Sequence, residues 1–284
     1  MSRIVYVNGT YVPEEDAVIS AFDRGFLFAD AIYEVTAVLD GKLIDYPGHV
    51  ARLKRSLAEV GMDMPVNADK LLEIHREMIR RNNLQEGPLY LQVTRGVADR
   101  DFVFPKNTPL TLVLFTQAKS IIESAQAKTG IKVISVPDIR WGRRDIKTVQ
   151  LLAASMAKME AKHAGKNDAW LVEDGFVTEG SSNNAYIVTK DGTIITRNLS
   201  TSILPGITRK AVLKLANEAS MKLEERPFTI AEAQDAAEAF ITAATTFVCP
   251  VVEIDNVKIS GGKPGPVATR LRELYIEEAR KAAV

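Results

Sequence analysis

Apolar and polar residues alternate through the opening stretch RIVYVNGTYV, and the alternation breaks at Asn8-Gly9. That pair takes positive φ readily and closes a tight hairpin. A second pair of extended runs, residues 31–40 and 42–46, flanks Asp40-Gly41. Pro47 then opens HVARLKRSLAEVG, in which Val50, Leu53, Leu57 and Val60 recur at helical spacing until Gly61. The pattern predicts a second amphipathic helix over 68–83 and strands over 88–97 and 110–117. A polar, aromatic and proline-bearing loop, ADRDFVFPKNT, separates those strands.

Periodicity fades in AKSIIESAQAKTG, so the domain boundary is expected there. Residues 1–119 form a small α+β domain on this reading, 120–130 a linker, and 131–284 a larger second domain. The second domain starts with the strand IKVISV. A turn through RWGRRDIK leads into a helix over 148–164 that begins beside Lys147. Strands are predicted at 168–173, 184–189, 193–197 and 239–243, with helices at 208–220 and 266–283. The class is therefore mixed α/β of the α+β kind, with no internal repeat.

The chain has 284 residues, 46% of them apolar and 25% charged, the balance of an ordinary globular protein. Its 36 basic and 36 acidic residues leave no basic stripe for nucleic acid or anionic lipid. A single cysteine, Cys249, excludes an internal disulfide, and the scattered His49, His75 and His163 form no zinc-binding spacing. No apolar run nears the ~20 residues of a membrane span. The first residues read as strand and turn rather than secretory signal, so a cytoplasmic protein is expected. The glycine-rich nucleotide signatures, GxSxG and HExxH are all absent.

What remains is an unusual use of lysine and of hydroxyl-rich turns. Lys147 sits among Ile146, Val149, Leu151 and Leu152. Such a setting would desolvate the amine and favour its neutral, nucleophilic form. Glu179, in TEGSSNNA, precedes an apolar strand and can accept a hydrogen bond from a ring N–H. The turn GIT at 206–208 opens a helix and offers backbone N–H groups to an anion. TAATT at 242–246 ends a strand with hydroxyls, and Arg52 could add a bidentate phosphate contact. Singly, each has a plainer structural reading: a snorkelling lysine, a loop glutamate, a simple helix cap, an arginine on a solvated face. Together, an activatable lysine, a carboxylate for a pyridine nitrogen and phosphate donors describe what pyridoxal 5'-phosphate needs.

FADAIYEV, HVARL, DIRWGRRDIK, VTEGSSNNAY, GITR and TAATTFVCPVVEID, in this order, resemble the fold-type IV pyridoxal-phosphate aminotransferases, nearest the D-amino acid branch. The resemblance covers nearly the whole chain. It implies a second domain with a β-barrel-like core, the cofactor in a cleft between domains, and a homodimer that shares active-site residues. Lys147 would bind the cofactor covalently and then move a proton at the substrate Cα. Glu179 would hold the pyridine nitrogen protonated, and Leu204 would pack on the ring. Arg52, Ile207 and Thr208 would bind the phosphate, while Ser182 and Asn183 would add contacts from the TEGSSNNA turn. Ala244 stands where relatives usually carry a threonine, so the hydroxyl there would come from Thr245.

For the substrate carboxylate the resemblance implies Tyr33 and, on a loop from the other subunit, Arg100. Phe102 stands where the D-specific enzymes have a histidine, which removes one donor and makes the pocket more apolar. The implied reaction passes an amino group from a D-amino acid, D-alanine being typical, to a 2-oxo acid such as 2-oxoglutarate by way of pyridoxamine phosphate. An (R)-selective amine transaminase, a branched-chain aminotransferase and an aminodeoxychorismate lyase share the fold and stay as alternatives. A non-catalytic binding module would have to match six ordered motifs by coincidence.

Overall fold

The computed structural model describes residues 2–284. They divide into two compact units. The first holds the chain up to Ser120 together with Ile146–Gln150 and Ala282–Val284, and the second holds Ile121–Asp145 and Leu151–Lys281.

In the first unit, β1 (Ile4–Val7) and β2 (Thr10–Pro13) form a hairpin whose turn places Asn8 at φ 47° and Gly9 at φ 101°. A short helix, α1 (Arg24–Phe28), is capped by the Asp23 side chain, which accepts from the Gly25 N–H. Then come β3 (Ala31–Leu39), β4 (Lys42–Leu43), α2 (Tyr46–Glu59), α3 (Ala68–Arg81), β5 (Glu86–Thr94) and β6 (Thr111–Thr116). The antiparallel sheet runs β2-β1-β6-β5-β3-β4. One face carries Ile32, Leu89, Leu91, Val93, Leu112 and Leu114, which pack with Leu53 and Leu57 of α2 and Leu71, Ile74 and Met78 of α3. Because strand side chains alternate, Tyr33, Tyr90 and Phe115 fall on the other, half-buried face.

β4 pairs only with Val38 and Leu39, so the first half of β3 has a free edge. Residues 147–149 fill it. Tyr33 N–H donates to the Lys147 carbonyl at 3.0 Å, Val149 N–H donates to the Ala31 carbonyl at 3.1 Å, and Ile32 lies opposite Thr148. This corrects two sequence expectations. The helix after Lys147 starts at Leu152 instead of 148, because the intervening residues are extended to pair with β3. The lysine segment also belongs to the first unit, away from the contiguous second domain to which its place in the chain assigned it.

The second unit contains α4 (Ala125–Thr129), β7 (Ile131–Pro137), α5 (Leu152–His163), β8 (Asp168–Glu173), β9 (Phe176–Gly180), β10 (Asn184–Val188), β11 (Ile194–Thr196) and α6 (Ile207–Glu218). β12 (Leu223–Glu225), α7 (Ile230–Asp235), β13 (Glu238–Ala243), β14 (Phe247–Ile254), β15 (Val257–Lys258) and α8 (Pro266–Lys281) complete it. The sheet runs β12-β11-β10-β13-β14-β7-β8-β9, with β15 on β14, and it curls so that β9 comes back against β10. The expected linker is part of this unit: Ile121 is buried, and Ser124 caps α4 by accepting from the Ala127 N–H. Cys249 lies buried in β14, where burial pushes its thiol up to about 11. No helix among the described residues is long and apolar enough to cross a membrane.

His75 of α3 is buried in the first unit, with Nδ1 on the Leu71 carbonyl at 2.7 Å and its ring edge-on to Tyr46 at 5.0 Å. Burial pushes the imidazole down from 6.5 to about 4. The folded state therefore disfavours a proton that the unfolded chain accepts. Its contribution is complete above pH 6.5 and is lost as pH falls toward about 4. Urea unfolding should show a loss of about 3 kcal/mol from this group across that window. His75→Gln should flatten the slope between those pH values, and an unchanged slope would assign the acid loss to other groups.

Candidate active site

Lys147 and Tyr33 face each other across the ladder that joins residues 147–149 to β3. The half-buried Lys147 Nζ stands 4.1 Å from the centroid of the Tyr33 ring. Tyr33 in turn stacks on Tyr90 at 5.6 Å, and Tyr90 stacks on Phe115 at 4.7 Å while its hydroxyl donates to Gln92. The lysine thus ends on a rigid aromatic row, with Lys147 N–H donating to Ser56 Oγ of α2 at 3.3 Å. The apolar neighbours do not all hem it as the sequence suggested: Ile146 joins the core, but Leu151 and Leu152 are exposed.

Arg52 is buried on the opposite side of β3. Its Nε and Nη2 donate to the two Glu34 oxygens at 2.7 and 2.8 Å, and His49 Nδ1 lies 2.7 Å from Glu34 Oε2. Burial pushes Glu34 up, but Arg52 and His49 outweigh it and hold the carboxyl well below the usual range. The pair fixes the guanidinium in one orientation.

In the second unit Glu179 lies within β9, a strand the sequence reading missed in favour of a loop. Its carboxylate is buried and takes three donors: Arg140 Nη1 at 2.6 Å on Oε1, Asn184 Nδ2 at 3.0 Å on Oε2, and the Leu204 N–H shared between both oxygens at 3.3 and 3.1 Å. Those three donors make four contacts, as many as the roughly four acceptor positions of a carboxylate, and the two longest come from the shared Leu204 N–H. Burial pushes the Glu179 carboxyl up, against the pull of Arg140 and Leu204. Arg140 is itself fixed by Asp138, to which Nε and Nη2 donate at 2.9 and 2.8 Å.

Asn184 is the hub of this half. Its Nδ2 also donates to the Leu204 carbonyl at 3.0 Å, and its Oδ1 occupies the space that a Cβ on residue 206 would need. Only glycine allows that approach, and Gly206 begins α6 with no side-chain cap, so the first-turn N–H groups of Ile207 and Thr208 are not taken up by one. Past the end of β13, Ala244 and Thr245 are half-buried, and the buried Thr246 hydroxyl has no partner among the described residues.

Asn183 Nδ2 donates to Asp168 at 2.7 Å and Ser182 is exposed, so the polar contact to Glu179 comes from Asn184. Arg140 escaped the sequence reading altogether; the one available signal was an arginine two residues after Asp138, close before the lysine motif. Arg100 and Phe102 lie on an exposed loop of the first unit, where Phe102 meets Phe28 edge to face at 5.6 Å.

Taken unit by unit, the chemistry fits pyridoxal phosphate: the first unit holds an amine and an arginine, and the second a buried carboxylate, a helix start with glycine and a hydroxyl lacking a partner. Among the described residues no cluster of His, Cys, Asp and Glu suits a metal ion.

Comparison with known proteins agrees. Residues 31–254 match the family model described as amino-transferase class IV. The chain is 35% identical over 280 residues to a D-alanine aminotransferase of Listeria monocytogenes, covering 98% of this chain and 96% of that protein. It is 37% identical to one of Staphylococcus haemolyticus, covering 96% and 98%. Among solved structures, a T.th. branched-chain amino acid aminotransferase complexed with N-(5'-phosphopyridoxyl)-L-glutamate superposes with a TM-score of 0.88 at 27% identity, covering 99% of this chain and 95% of that one. The fold is also that of the Escherichia coli branched-chain enzyme, with a TM-score of 0.89 at 23% identity, covering 98% and 95%. With the family model spanning most of the chain and relatives aligned nearly end to end, the protein belongs to the class IV aminotransferases.

Proposed function

We propose that this aminotransferase moves the amino group of a D-amino acid, D-alanine being typical, onto a 2-oxo acid such as 2-oxoglutarate, giving pyruvate and D-glutamate. Pyridoxal phosphate, when bound, supplies the electron sink that makes the substrate Cα–H acidic. The observation that carries the reading is Glu179, a buried carboxylate held in one orientation by Arg140, Asn184 and the Leu204 N–H, which supplies the negative charge a protonated ring nitrogen requires. The negative charge of the carboxylate favours keeping that proton on the ring; Arg140 and the Leu204 N–H support the charged form against burial, which pushes the carboxyl up.

Lys147 Nζ takes the proton from the substrate Cα and returns it on the product side. Tyr33 limits where the amine can reach, since its ring is backed by Tyr90 and Phe115. Arg52, the N–H groups of Ile207 and Thr208, and the turn at Ala244 and Thr245 are assigned to the phosphate. Leu204 is assigned to the ring, with Ser182 and Asn183 as outer members of the same turn. Tyr33 and Arg100 are assigned to the substrate carboxylate. The D-alanine aminotransferases among the relatives support this choice of substrate. Phe102, an apolar ring where a histidine donor is expected, favours an (R)-selective amine as the second reading; the branched-chain structural neighbours support an L-amino acid less well.

A homodimer in the cytoplasm is part of the proposal. On α5, Leu152, Met156 and Met159 recur at helical spacing and are all exposed, with Leu152 at 75%, while Ala157 and Ala161 face the sheet. Such an apolar stripe suits burial against a second copy.

Three measurements test this. After loading with pyridoxal phosphate, the visible absorption band should bleach with D-alanine; bleaching by (R)-phenylethylamine or L-leucine in its place would select the alternative substrate. Lys147→Ala should lower transamination by about a thousandfold or more, and near-normal turnover would refute its role as proton carrier. Met156→Glu should shift the mass in light scattering from dimer to monomer, whereas an unchanged dimer would place the interface elsewhere.

A further inference from the structure

The loop that carries Arg100 is tied to α1 by an alternating row of arginines and phenylalanines. Arg24 is 2% exposed, and its guanidinium lies 4.5 Å from the Phe28 ring centroid and 5.6 Å from that of Phe104. Its Nη1 donates to the Asp101 carbonyl at 2.5 Å, and its Nε to Asp30 Oδ2 at 2.8 Å. Arg95 shares Asp30 Oδ2 at 2.7 Å and covers Phe104 at 3.7 Å. The base of the loop is laced to the start of this helix and the residues before it: Arg24 N–H donates to the Gly96 carbonyl at 2.9 Å and Ala98 N–H to the Phe22 carbonyl at 3.2 Å.

Arg100 stands at the end of this row. Its guanidinium lies 5.4 Å from the Phe28 centroid and 5.7 Å from that of Phe102. Among the described residues these rings are its partners. A ring contact engages the face of a guanidinium and leaves its in-plane N–H donors for a planar carboxylate.

We propose that Arg24 is a positioning residue for substrate recognition: by holding the Asp101 carbonyl and the Phe28 ring it sets Arg100 to receive the carboxylate of an amino acid or 2-oxo acid. The assignment rests on the reading of Arg100 as the carboxylate-binding arginine, but it adds a residue to that recognition. Arg24 touches neither substrate nor cofactor on this assignment. It acts through the two residues of the loop and helix that flank Arg100. The sharing of Phe28 by Arg24 and Arg100 couples the buried anchor to the exposed donor. Removing Arg24 leaves Asp30 still paired with Arg95, so the loss falls on the loop.

The test uses the full chain loaded with pyridoxal phosphate, wild type against Arg24→Leu and Arg24→Lys. Bleaching by D-alanine alone, without a 2-oxo acid, reads the half-saturating concentration and the limiting rate separately. In Arg24→Leu the half-saturating concentration should rise about tenfold or more while the limiting rate stays within about twofold, the range expected when a desolvated cation–ring contact and one charged hydrogen bond are lost. Arg24→Lys, which keeps the charge near Asp30 but cannot span Asp101 and Phe28 together, should fall between. Trypsin should also cut after Arg100 faster in Arg24→Leu than in wild type. An unchanged half-saturating concentration, or a limiting rate that falls as much as affinity, overturns the proposal. If Arg24→Leu does not fold, Phe28→Leu should give the same shift, and an unshifted Phe28→Leu overturns it equally. Wild-type protein that D-alanine does not bleach would refute the D-amino acid reading instead; the trypsin comparison then decides the hold of Arg24 on the loop by itself.

Discussion

A sheet edge that is only half covered governs much of this molecule. β4 is too short to pair with the start of β3, and unpaired N–H and C=O groups on a half-buried strand are costly. Residues 147–149 satisfy them, and in doing so they put Lys147 opposite Tyr33 on the face away from the helices. The lysine is thus placed by backbone hydrogen bonds, which leave little freedom in register, while its flexible stem carries the amine over the Tyr33 ring. The neighbouring residue on β3, Glu34, points the other way by strand alternation and organises Arg52 instead. Two adjacent positions on one strand thereby serve two different tasks.

Charge burial is handled the same way in both units. Glu34, Glu179, Asp138 and Asp30 are each met by at least one guanidinium, and Arg24, Arg52 and Arg144 are buried with them. Buried ion pairs contribute little net stability once desolvation is counted, but breaking one partner away is expensive. Such pairs therefore act here chiefly as fixtures. Arg140 fixes Glu179 and is fixed by Asp138, which also accepts the Thr178 hydroxyl at 2.7 Å. A carboxylate so restrained is held in one orientation.

Local patterns were legible where a single element decides them. The Asn8-Gly9 hairpin, the amphipathic α2 and α3, and the helix opened by Gly206 follow from turn chemistry and period, and the ordered motifs announced the family. Less legible was whatever depended on partners distant in sequence. The extended segment after Lys147 looks helical by spacing, because the strand it pairs with lies more than a hundred residues earlier. β14 is rich in β-branched residues, but it is buried throughout and so shows no alternation, and Pro250 interrupts it, so its period does not mark it as a strand. Arg140 and Asn184 matter through partners that only the fold brings to them, Glu179 above all, and nothing in their immediate neighbours sets them apart from other polar residues.

The first unit is discontinuous in the chain, and synthesis proceeds from one end. When its six strands have been made, the residues that cover the open edge of β3 are still absent, some thirty positions further on. Until they arrive, a nascent chain displays an unpaired strand bearing Ile32 and Tyr33, a template for another copy to pair with. A fragment cut at the natural seam after Ser120 would keep that exposure permanently. The same short segment that places the lysine thus also shields the growing polypeptide from self-association.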